Sequence, residues 1–492
     1  MSHPQAVPSP TLHTTELPLV VDLDGTLLVG DMLAEQLFWL LGRRPFVALR
    51  VLLAWCRRPT RVYLKVLLAD ATPDLPVERL LFHPEVLRRA REAQARGLDT
   101  VLATATLQSV AEPIAQYLGV FSHVLGTVHT NLKGAAKLDA IQTVLDNRPF
   151  AYMGDSSADV PVWRGAAEAV IVATSARGRT LQQGFTAEVI ARPAATFATW
   201  RRALRVHQWT KNLLVLLPVI AGHRWLDQAA LHAALIAALA ASLLASSVYL
   251  ANDLLDLHAD RSKGGDRQRP IADGRIPYGH AVLASLGLSA LAFALLGLIP
   301  DAVRGPLALL MLAYVGANAA YSMALKRVVI LDVILLSTMY LWRILLGSVA
   351  TGIMLSDWLL AFSVFFFLGL ASAKRCIELG RLPAGAGPAT SGHTGRGYQA
   401  TDLPVVREIG IGSSLVSILV LALYLKDEQT ASLYQRPQLL WGVVMLALYW
   451  VARLWVLVAR GRVESDPVEF ATRDGVTFAV ALAAGLSLLA AL

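Results

Sequence analysis

Residues 19–27 read LVVDLDGTL, an apolar strand that ends in two carboxylates and a glycine turn. In an open α/β sheet, ligands bind beyond the carboxyl ends of the strands. Asp22 and Asp24 are two residues apart, so both would face one side of a regular strand. A turn at Gly25 would bring both carboxylates to the strand tip. The stretch therefore predicts an acidic ligand site at the edge of an α/β sheet.

Two later strands carry further polar residues in a defined order. The apolar strand Thr100–Ala103 leads to Thr104, and Lys137 follows on a predicted helix. Another apolar strand ends in GDSSAD at residues 154–159. An aspartate pair, a threonine, a lysine and a second aspartate pair in this order resemble the haloacid dehalogenase phosphatase superfamily. The resemblance covers residues 17–195.

The resemblance implies a fold and a chemistry for these residues. The fold is a Rossmann-type parallel sheet with a small helical cap at about residues 31–95. Asp22 would attack phosphorus to form an aspartyl-phosphate, and Asp24 would protonate the leaving oxygen and later activate water. Thr104 and Lys137 would bind the phosphoryl oxygens. Mg²⁺ prefers carboxylate oxygens, and its predicted ligands here are Asp22, Asp24, Asp155 and Asp159.

The predicted cap is unusually apolar, with FWLL at residues 38–41 and a second apolar run at residues 49–55. Two interpretations are open. These residues form the core of a small helical cap, or they form an amphipathic face that rests on a membrane. In the second case Arg43, Arg44, Arg57 and Arg58 would lie near the lipid headgroups.

Long apolar runs fill most of the chain after residue 205. Of the 492 residues, 55% are hydrophobic and 16% are charged, and the mean hydropathy is +0.51. Crossing a bilayer as a helix takes about 20 apolar residues, so we expect an all-α membrane bundle of about nine transmembrane helices in residues 212–492. The predicted spans lie near residues 212–223, 229–250, 280–299, 305–322, 329–352, 358–373, 409–426, 438–459 and 475–492. We expect residues 1–16 to be disordered and residues 196–211 to form an amphipathic linker.

Lys and Arg are distributed unevenly over the predicted loops. The even-numbered loops carry fifteen of them and the odd-numbered loops carry four. Cytoplasmic loops of membrane proteins carry an excess of Lys and Arg, so we expect a multi-pass inner (cytoplasmic) membrane protein whose N-terminal domain faces the cytoplasm. The net charge of +8 therefore reflects topology, and we expect no nucleic-acid partner. A homo-oligomer stays open.

A second group of carboxylates follows the second predicted span, where residues 252–260 read NDLLDLHAD. If the helix continues, Asn252, Asp256 and Asp260 share a face with Asp253 beside them; we call these four residues the carboxylate stripe. Its carboxylates repel each other unless a cation lies among them, and a Mg²⁺ that also binds a diphosphate fits this need. Arg269 would add phosphate-binding charge on the same loop.

Other polar residues lie within the predicted bundle. Tyr321 and Lys326 precede Asp332, and Arg343 lies about three helical turns beyond Asp332. An arginine that deep in a span is a functional candidate, and the alternative is a structural pair with an acid. Lys374 either positions a phosphate or only marks a cytoplasmic loop.

This pattern resembles the UbiA prenyltransferase superfamily over about residues 205–492. Finer features, such as HQWTKN at residues 207–212 and DPV at residues 466–468, resemble the polyprenyl-phosphate (decaprenyl-phosphate) phosphoribosyltransferases. That branch implies phosphoribosyl pyrophosphate as donor and a polyprenyl phosphate as acceptor. The stretch Ser262–Gln268 departs from the branch pattern, so the donor stays open. The residues implied in substrate binding are Lys211, Arg269, Tyr321, Lys326, Asp332, Arg343 and Lys374.

These residues are compatible with three functions. In the favoured one, the membrane part makes a polyprenyl-phosphoribose 5-phosphate and the phosphatase part removes the 5-phosphate, with Mg²⁺ at both sites. The alternative is a prenyltransferase that uses a prenyl diphosphate and an aromatic or quinone acceptor, with a phosphatase of separate substrate attached. A non-enzymatic lipid-binding protein is disfavoured, because charged groups near a membrane are costly to keep without a role.

Overall fold

The computed structural model describes residues 16–128, 131–182, 184–262, 269–381, 397–425, 434–464 and 466–491. Residues 1–15, the predicted disordered N-terminus, and most of the departing stretch Ser262–Gln268 lie outside the described residues. The chain divides into two compact units. The first unit combines the residues up to Ala203 with Leu250–Leu283, and the second combines Leu204–Tyr249 with the residues from Ala284 onward.

The first unit is built on a six-stranded sheet in which all neighbouring strands are parallel. The strand order is β3-β2-β1-β4-β5-β6. The strands are β1 (Leu19–Val21), β2 (Thr100–Leu107), β3 (His123–Thr127), β4 (Ala151–Gly154), β5 (Glu168–Ala173) and β6 (Glu188–Ala191). The central strand β1 is fully apolar and buried, as expected for a parallel sheet that is covered on both faces. The predicted α/β fold is confirmed.

Ten helices belong to this unit in addition to the first turns of a later span. They are α1 (Met32–Arg43), α2 (Pro45–Arg57), α3 (Arg61–Ala71), α4 (Pro84–Ala95), α5 (Gln108–Leu118), α6 (Ala135–Val144), α7 (Val160–Gly165), α8 (Ser175–Leu181), α9 (Phe197–Ala203) and, further along, Leu257–Arg261. Asp31 starts α1 because its side chain accepts hydrogen bonds from the backbone N–H groups of Leu33 and Ala34. Val86 and Ala90 of α4 pack in the same core as Val21. The helical cap therefore consists of α1, α2 and α3.

The cap has its own small core. Trp39 and Leu40 are 3% and 0% exposed and pack with Ala48 and Leu68, so for residues 39 and 40 the interpretation as a cap core is confirmed. An apolar surface does exist on α2, where Phe46 is 81%, Leu49 54% and Leu53 56% exposed. A membrane-facing role for the cap therefore has to rest on α2 and not on residues 38–41.

The second unit is helical. It contains a 3₁₀ segment (Val206–Leu216) and then helices that begin with α10 (Leu217–Ala221). The others are α11 (Gln228–Leu255), α13 (Tyr278–Ala294), α14 (Asp301–Met323), α15 (Leu331–Thr351), α16 (Asp357–Leu379), α17 (Leu403–Tyr424), α18 (Leu440–Ala459), α19 (Pro467–Ala471) and α20 (Gly475–Ala491). The short helix Leu257–Arg261 of the first unit is α12, and the ends of α11 and α13 that adjoin it also belong to the first unit.

Seven of the nine predicted spans are helices long and apolar enough to cross a membrane, counted over the described ranges. The chain is thus a multi-pass membrane protein. The prediction near residues 212–223 is wrong as a span-length α-helix, because Pro218 lies in a helix of five residues that follows the 3₁₀ segment. The last predicted span is α20, which at 17 residues is shorter than the other seven.

Candidate active sites

A cavity of about 1140 Å³ opens in the first unit at the carboxyl ends of β1 and β4. It is lined by Asp22, Asp24, Lys137 and Asp155, which the sequence placed at one sheet edge. The turn at Gly25 is present, with a φ of +74°. A Cβ atom there would lie 2.2 Å from Asp155 Oδ2, so this turn admits only glycine. The cavity is slightly larger than ordinary ligand pockets, whose volumes run from about 300 to 1,000 Å³.

Asp22 and Lys137 form the buried centre of this cavity. The Lys137 ammonium donates to Asp22 Oδ1 at 2.9 Å, to Asp159 Oδ1 at 3.1 Å and to the Tyr152 hydroxyl at 3.0 Å. Burial by itself would lower the pKa of Lys137, but Asp22 and Asp159 raise it above its ordinary value. Lys137 therefore stays protonated beside Asp22, for which the family resemblance implies the role of nucleophile.

Asp24 is held by two hydrogen bonds. Met32 N donates to its Oδ1 and Thr106 Oγ1 to its Oδ2, both at 2.7 Å. Burial, followed by the negative charge of Asp31, raises the pKa of Asp24 to about 6. A carboxyl group with a pKa near the working pH can both donate and accept a proton, as general acid–base catalysis requires.

The threonine of this site differs from the sequence expectation. Thr104 is fully buried, and its Oγ1 accepts from Thr106 N at 3.0 Å. Thr106 lines the cavity and bonds Asp24. Strand β2 runs on to Leu107, so the strand end that was placed at residue 104 lies three residues later. A phosphoryl-binding role of Thr104 stays a prediction.

Three carboxylates can hold a metal ion in this cavity. Asp22, Asp155 and Asp159 offer one oxygen each, and these oxygens lie within 4.8 Å of one another, the single such group found among the described residues. Burial, then the charge of Asp159, raises the pKa of Asp155 to about 6. These oxygens suit a hard cation such as Mg²⁺. Asp24, also predicted as a ligand, lies outside this group.

One wall of the cavity comes from a later part of the chain. Residues 274–280, which follow the carboxylate stripe, line it together with the residues around Asp22. Glu35 of α1 is fully buried in the same unit and accepts from Arg261 at 2.8 and 3.0 Å and from the Tyr278 hydroxyl at 2.6 Å. The Phe38 ring packs edge-on against Tyr278 at 6.0 Å. Glu35 could not be singled out from the sequence, since a single acid on a helix is usually exposed.

The carboxylate stripe keeps helical hydrogen bonding through the break between α11 and α12. Asp256 N donates to Asn252 O and Asp260 N to Asp256 O, both at 2.9 Å, so the predicted shared face is present. Arg269 Nη1 lies 2.8 Å from Asp253 Oδ1 and 2.8 Å from Asp260 Oδ2. The repulsion from which Mg²⁺ was inferred is thus partly offset by Arg269. A metal ion at the stripe stays a prediction.

Three predicted cationic residues come together in the second unit. Lys211 and Lys374 both bind Asp466 Oδ2, at 2.7 and 3.2 Å. Lys211 Nζ and Arg343 Cζ each lie 5.7 Å from the centre of the Tyr340 ring. Burial would raise the pKa of Asp466, but the two lysines lower it below its ordinary value. We call Lys211, Arg343 and Lys374 the cation cluster.

Arg343 is hydrogen-bonded to an amide and to a backbone carbonyl, whereas the structural alternative assumed an ion pair with an acid. Its Nε donates to Asn212 Oδ1 at 2.7 Å and its Nη1 to Met339 O at 2.5 Å. No carboxylate forms an ion pair with it in the part of the chain that the structure describes. A buried guanidinium that is balanced by an amide and aromatic rings keeps positive charge for an anionic ligand.

Asp332 lies apart from the cation cluster in a closed network. It is fully buried and ion-paired with Arg375, and the Tyr398 hydroxyl donates to it at 2.5 Å. Tyr321 lies near the C-terminus of α14, and Lys326 lies in the following 3₁₀ turn. Both residues are half-buried. Substrate binding by Asp332, Tyr321 and Lys326 stays a prediction.

Several residues of these sites were not selected from the sequence as site residues. Asp466, Asn212 and Tyr340 meet the cation cluster, and Thr106 meets Asp24. Asn212 and Asp466 stood inside the stretches HQWTKN and DPV that carried the family resemblance. The sequence did not predict that Asn212 and Asp466 both lie at the cation cluster, because more than 250 residues separate them along the chain.

Two family models match the chain. The model of the UbiA prenyltransferase family matches residues 215–482, and that of haloacid dehalogenase-like hydrolases matches residues 19–164. An uncharacterized protein of Sinorhizobium fredii, y4nM, is 34% identical over 465 residues, which is 93% of this chain and 88% of the relative. That relative therefore spans both matched regions.

Two shorter relatives match a part of the chain. The nodulation protein NoeC of Azorhizobium caulinodans is 30% identical over 297 residues, covering 59% of this chain and 92% of the relative. A decaprenyl-phosphate phosphoribosyltransferase of Mycobacterium tuberculosis is 32% identical over 298 residues, covering 59% of this chain and 93% of the relative.

Proposed function

The chain belongs to the UbiA prenyltransferase family and carries a haloacid dehalogenase-like hydrolase region, and from this we propose that it is a bifunctional membrane enzyme. The membrane part transfers phosphoribosyl from phosphoribosyl pyrophosphate to a polyprenyl phosphate. The hydrolase part then removes the 5-phosphate of the lipid product. Similarity to a decaprenyl-phosphate phosphoribosyltransferase over nearly all of that relative supports this donor and acceptor.

The observation that carries the proposal is the shared wall of the hydrolase cavity. Residues 274–280 line the cavity that holds Asp22. The carboxylate stripe and Arg269 come shortly before these residues in the chain. The carboxylate stripe of the proposed transferase belongs to the same compact unit as the hydrolase cavity. This supports a fusion in which a transferase whose product carries a new phosphomonoester is joined to a phosphomonoesterase. Tethering of this kind raises the effective concentration of the product to about the millimolar range.

The contact between Glu35 and Arg261 also supports a common membrane face for both reactions. The N-terminal domain and the loop after α11 lie on one side if they touch, so the chain has to reach the other side before Gln228. The 3₁₀ segment Val206–Leu216 and helix α10 would together extend about 30 Å at roughly 2.0 and 1.5 Å per residue, which matches the hydrocarbon thickness. By the excess of Lys and Arg in the loops, that face is the cytoplasmic side of the inner membrane.

The hydrolase chemistry follows from the positions of Asp22 and Asp24. Asp22 attacks phosphorus and the bond to the ribose 5-oxygen breaks, which leaves an aspartyl-phosphate. Asp24 protonates the departing oxygen and then takes a proton from the water that hydrolyses the intermediate. Lys137 balances the charge of the phosphoryl group. A Mg²⁺ held by Asp22, Asp155 and Asp159 supplies further positive charge when bound.

In the transferase reaction, two groups of charged residues would bind the donor and the acceptor separately. The carboxylate stripe would hold the Mg²⁺ of the donor pyrophosphate, with Arg269 beside it. The cation cluster would hold the lipid phosphate, which is already anionic near neutral pH and needs little activation. The buried setting of these cations strengthens their attraction for a phosphate.

The proposal is tested with the purified full chain, Mg²⁺, labelled phosphoribosyl pyrophosphate and a polyprenyl phosphate. We expect label in a lipid that has lost its 5-phosphate. A parallel reaction offers labelled prenyl diphosphate and an aromatic acceptor, the alternative function. Label transfer in the second reaction and none in the first would reject the phosphoribosyl donor.

A further inference from the structure

The hydrolase cavity contains more positive charge than its reaction centre uses. Lys137 is committed to Asp22 and Asp159. Six further Lys and Arg residues also line the cavity, namely Arg61, Lys65, Lys133, Arg177, Arg192 and Arg275. Arg192 donates to Gly25 O, Arg275 pairs with Asp273, and Arg177 offsets the charge of Asp155, which leaves Arg61, Lys65 and Lys133. A phosphoryl group that is already held by Lys137 and a metal ion does not account for them.

Arg61 and Lys65 lie four residues apart on α3, one helical turn, and therefore on the same face. Lys65 is half-buried, and its ammonium donates to Ala105 O at 2.5 Å on the cavity wall. Burial lowers the pKa of Lys65, and the charges of Arg61 and Lys133 act in the same direction. Lys133 comes from the loop before α6 and lines the same cavity.

The carboxylates nearby are committed to other bonds. Asp31 caps the N-terminus of α1 through Leu33 and Ala34, and both oxygens of Asp24 accept hydrogen bonds. Among the described residues, no carboxylate forms an ion pair with Arg61 or with Lys133. At Lys65 the charges of Asp24 and Asp31 offset part of the repulsion from Arg61 and Lys133, and an anion bound between the three cations would offset more of it.

The location of these cations indicates which part of a substrate they meet. Lys65 donates to Ala105 O, and the next residue, Thr106, donates to Asp24, the acid that protonates the leaving oxygen in the proposed reaction. The leaving group therefore emerges on the side of Arg61 and Lys65. A cavity of about 1140 Å³ also has room for a leaving group much larger than the phosphoryl group.

We propose that Arg61, Lys65 and Lys133 form a second anion subsite, which binds a phosphate carried by the leaving group. This proposal rests on the proposed function and deepens it, because it defines the substrate class of the hydrolase. The substrate is a phosphomonoester with a second phosphate on the same sugar. That second phosphate is either the phosphodiester of a lipid-linked sugar or a free phosphomonoester of a sugar bisphosphate.

The test compares three substrates with the purified full chain in detergent. Ribose 5-phosphate carries one phosphate, whereas ribose 1,5-bisphosphate and polyprenyl-phosphoribose 5-phosphate carry two. Arg61→Gln and Lys133→Gln each remove one subsite charge, and Arg91→Gln removes an exposed arginine of α4 as the matched control. We expect each subsite variant to lower kcat/KM for a two-phosphate substrate about tenfold more than for ribose 5-phosphate, mainly through KM. Arg91→Gln should leave all three values unchanged.

The outcomes separate the subsite from the proposed function. Selective loss on the lipid alone assigns the phosphodiester as ligand, and selective loss on both two-phosphate substrates assigns any phosphate at C1. Equal losses on all three substrates, or a wild-type chain without preference for a second phosphate, overturn the subsite while the phosphatase stands. A chain that releases phosphate from none of the three overturns the proposed hydrolase function and the subsite with it.

Discussion

Replacing Arg261 by methionine should loosen the loop that walls the hydrolase cavity. Arg261 donates to both carboxylate oxygens of Glu35, at 2.8 and 3.0 Å, and Glu35 is fully buried. Methionine keeps much of the side-chain volume but leaves the carboxylate without its strongest partner. Removing one member of a buried ion pair costs about 3–5 kcal/mol. The Tyr278 hydroxyl still donates to Glu35, so we expect about 3 kcal/mol.

Hydrogen exchange of the full chain measures this cost locally. A loss of about 3 kcal/mol corresponds to roughly a hundredfold faster exchange of amides that open with the loop. The matched control is Arg44→Met, since Arg44 pairs with Asp74 at 2.9 Å while their side chains are 48% and 64% exposed. Such surface pairs contribute about 0–1 kcal/mol. Equal exchange in both variants would refute the reasoning that the Glu35 pair fixes the loop.

Three further predictions address the two sites and the cap. Asp256→Ala should abolish formation of the lipid product while hydrolysis of a soluble phosphomonoester persists; parallel loss of both activities in a folded chain would contradict separate sites. Asp466→Asn should raise the KM of the transferase several-fold, because Asp466 orients Lys211 and Lys374; an unchanged KM would remove it as a positioning residue. Leu49→Ser with Leu53→Ser should reduce hydrolysis of the lipid-linked substrate more than that of ribose 5-phosphate, and equal losses would end the idea that α2 rests on the membrane.

The fold of the first unit was predictable because local patterns carried it. The strand before Asp22 is apolar and continuous, and glycine at position 25 is required by its positive φ. Lys137 was expected at this site from the order of motifs that resembles the haloacid dehalogenase superfamily, and not from a local pattern. The expectation for Thr104 was less reliable, since alternating Thr and Ala in β2 give no clear strand end.

Contacts between residues that are far apart along the chain could not be predicted from the sequence. The burial of Trp39 and Leu40 in the cap core depends on α2 and α3 folding over them, which their apolar character alone does not reveal. Arg269 lies between Asp253 and Asp260 and offsets part of their repulsion, which was expected to require a metal ion. The segment around Pro218 is apolar enough for a span, but proline and the 3₁₀ geometry prevent a single long α-helix.

The measurement that tests the account most directly is the lipid product of Asp22→Asn. The variant keeps the shape of the nucleophile and removes its charge, while the carboxylate stripe and the cation cluster are unchanged. Supplied with labelled phosphoribosyl pyrophosphate and a polyprenyl phosphate, it should accumulate the lipid-linked 5-phosphate at the wild-type rate of transfer, whereas the wild type yields the dephosphorylated lipid. Dephosphorylated lipid formed by Asp22→Asn at the normal rate would contradict the two-step function.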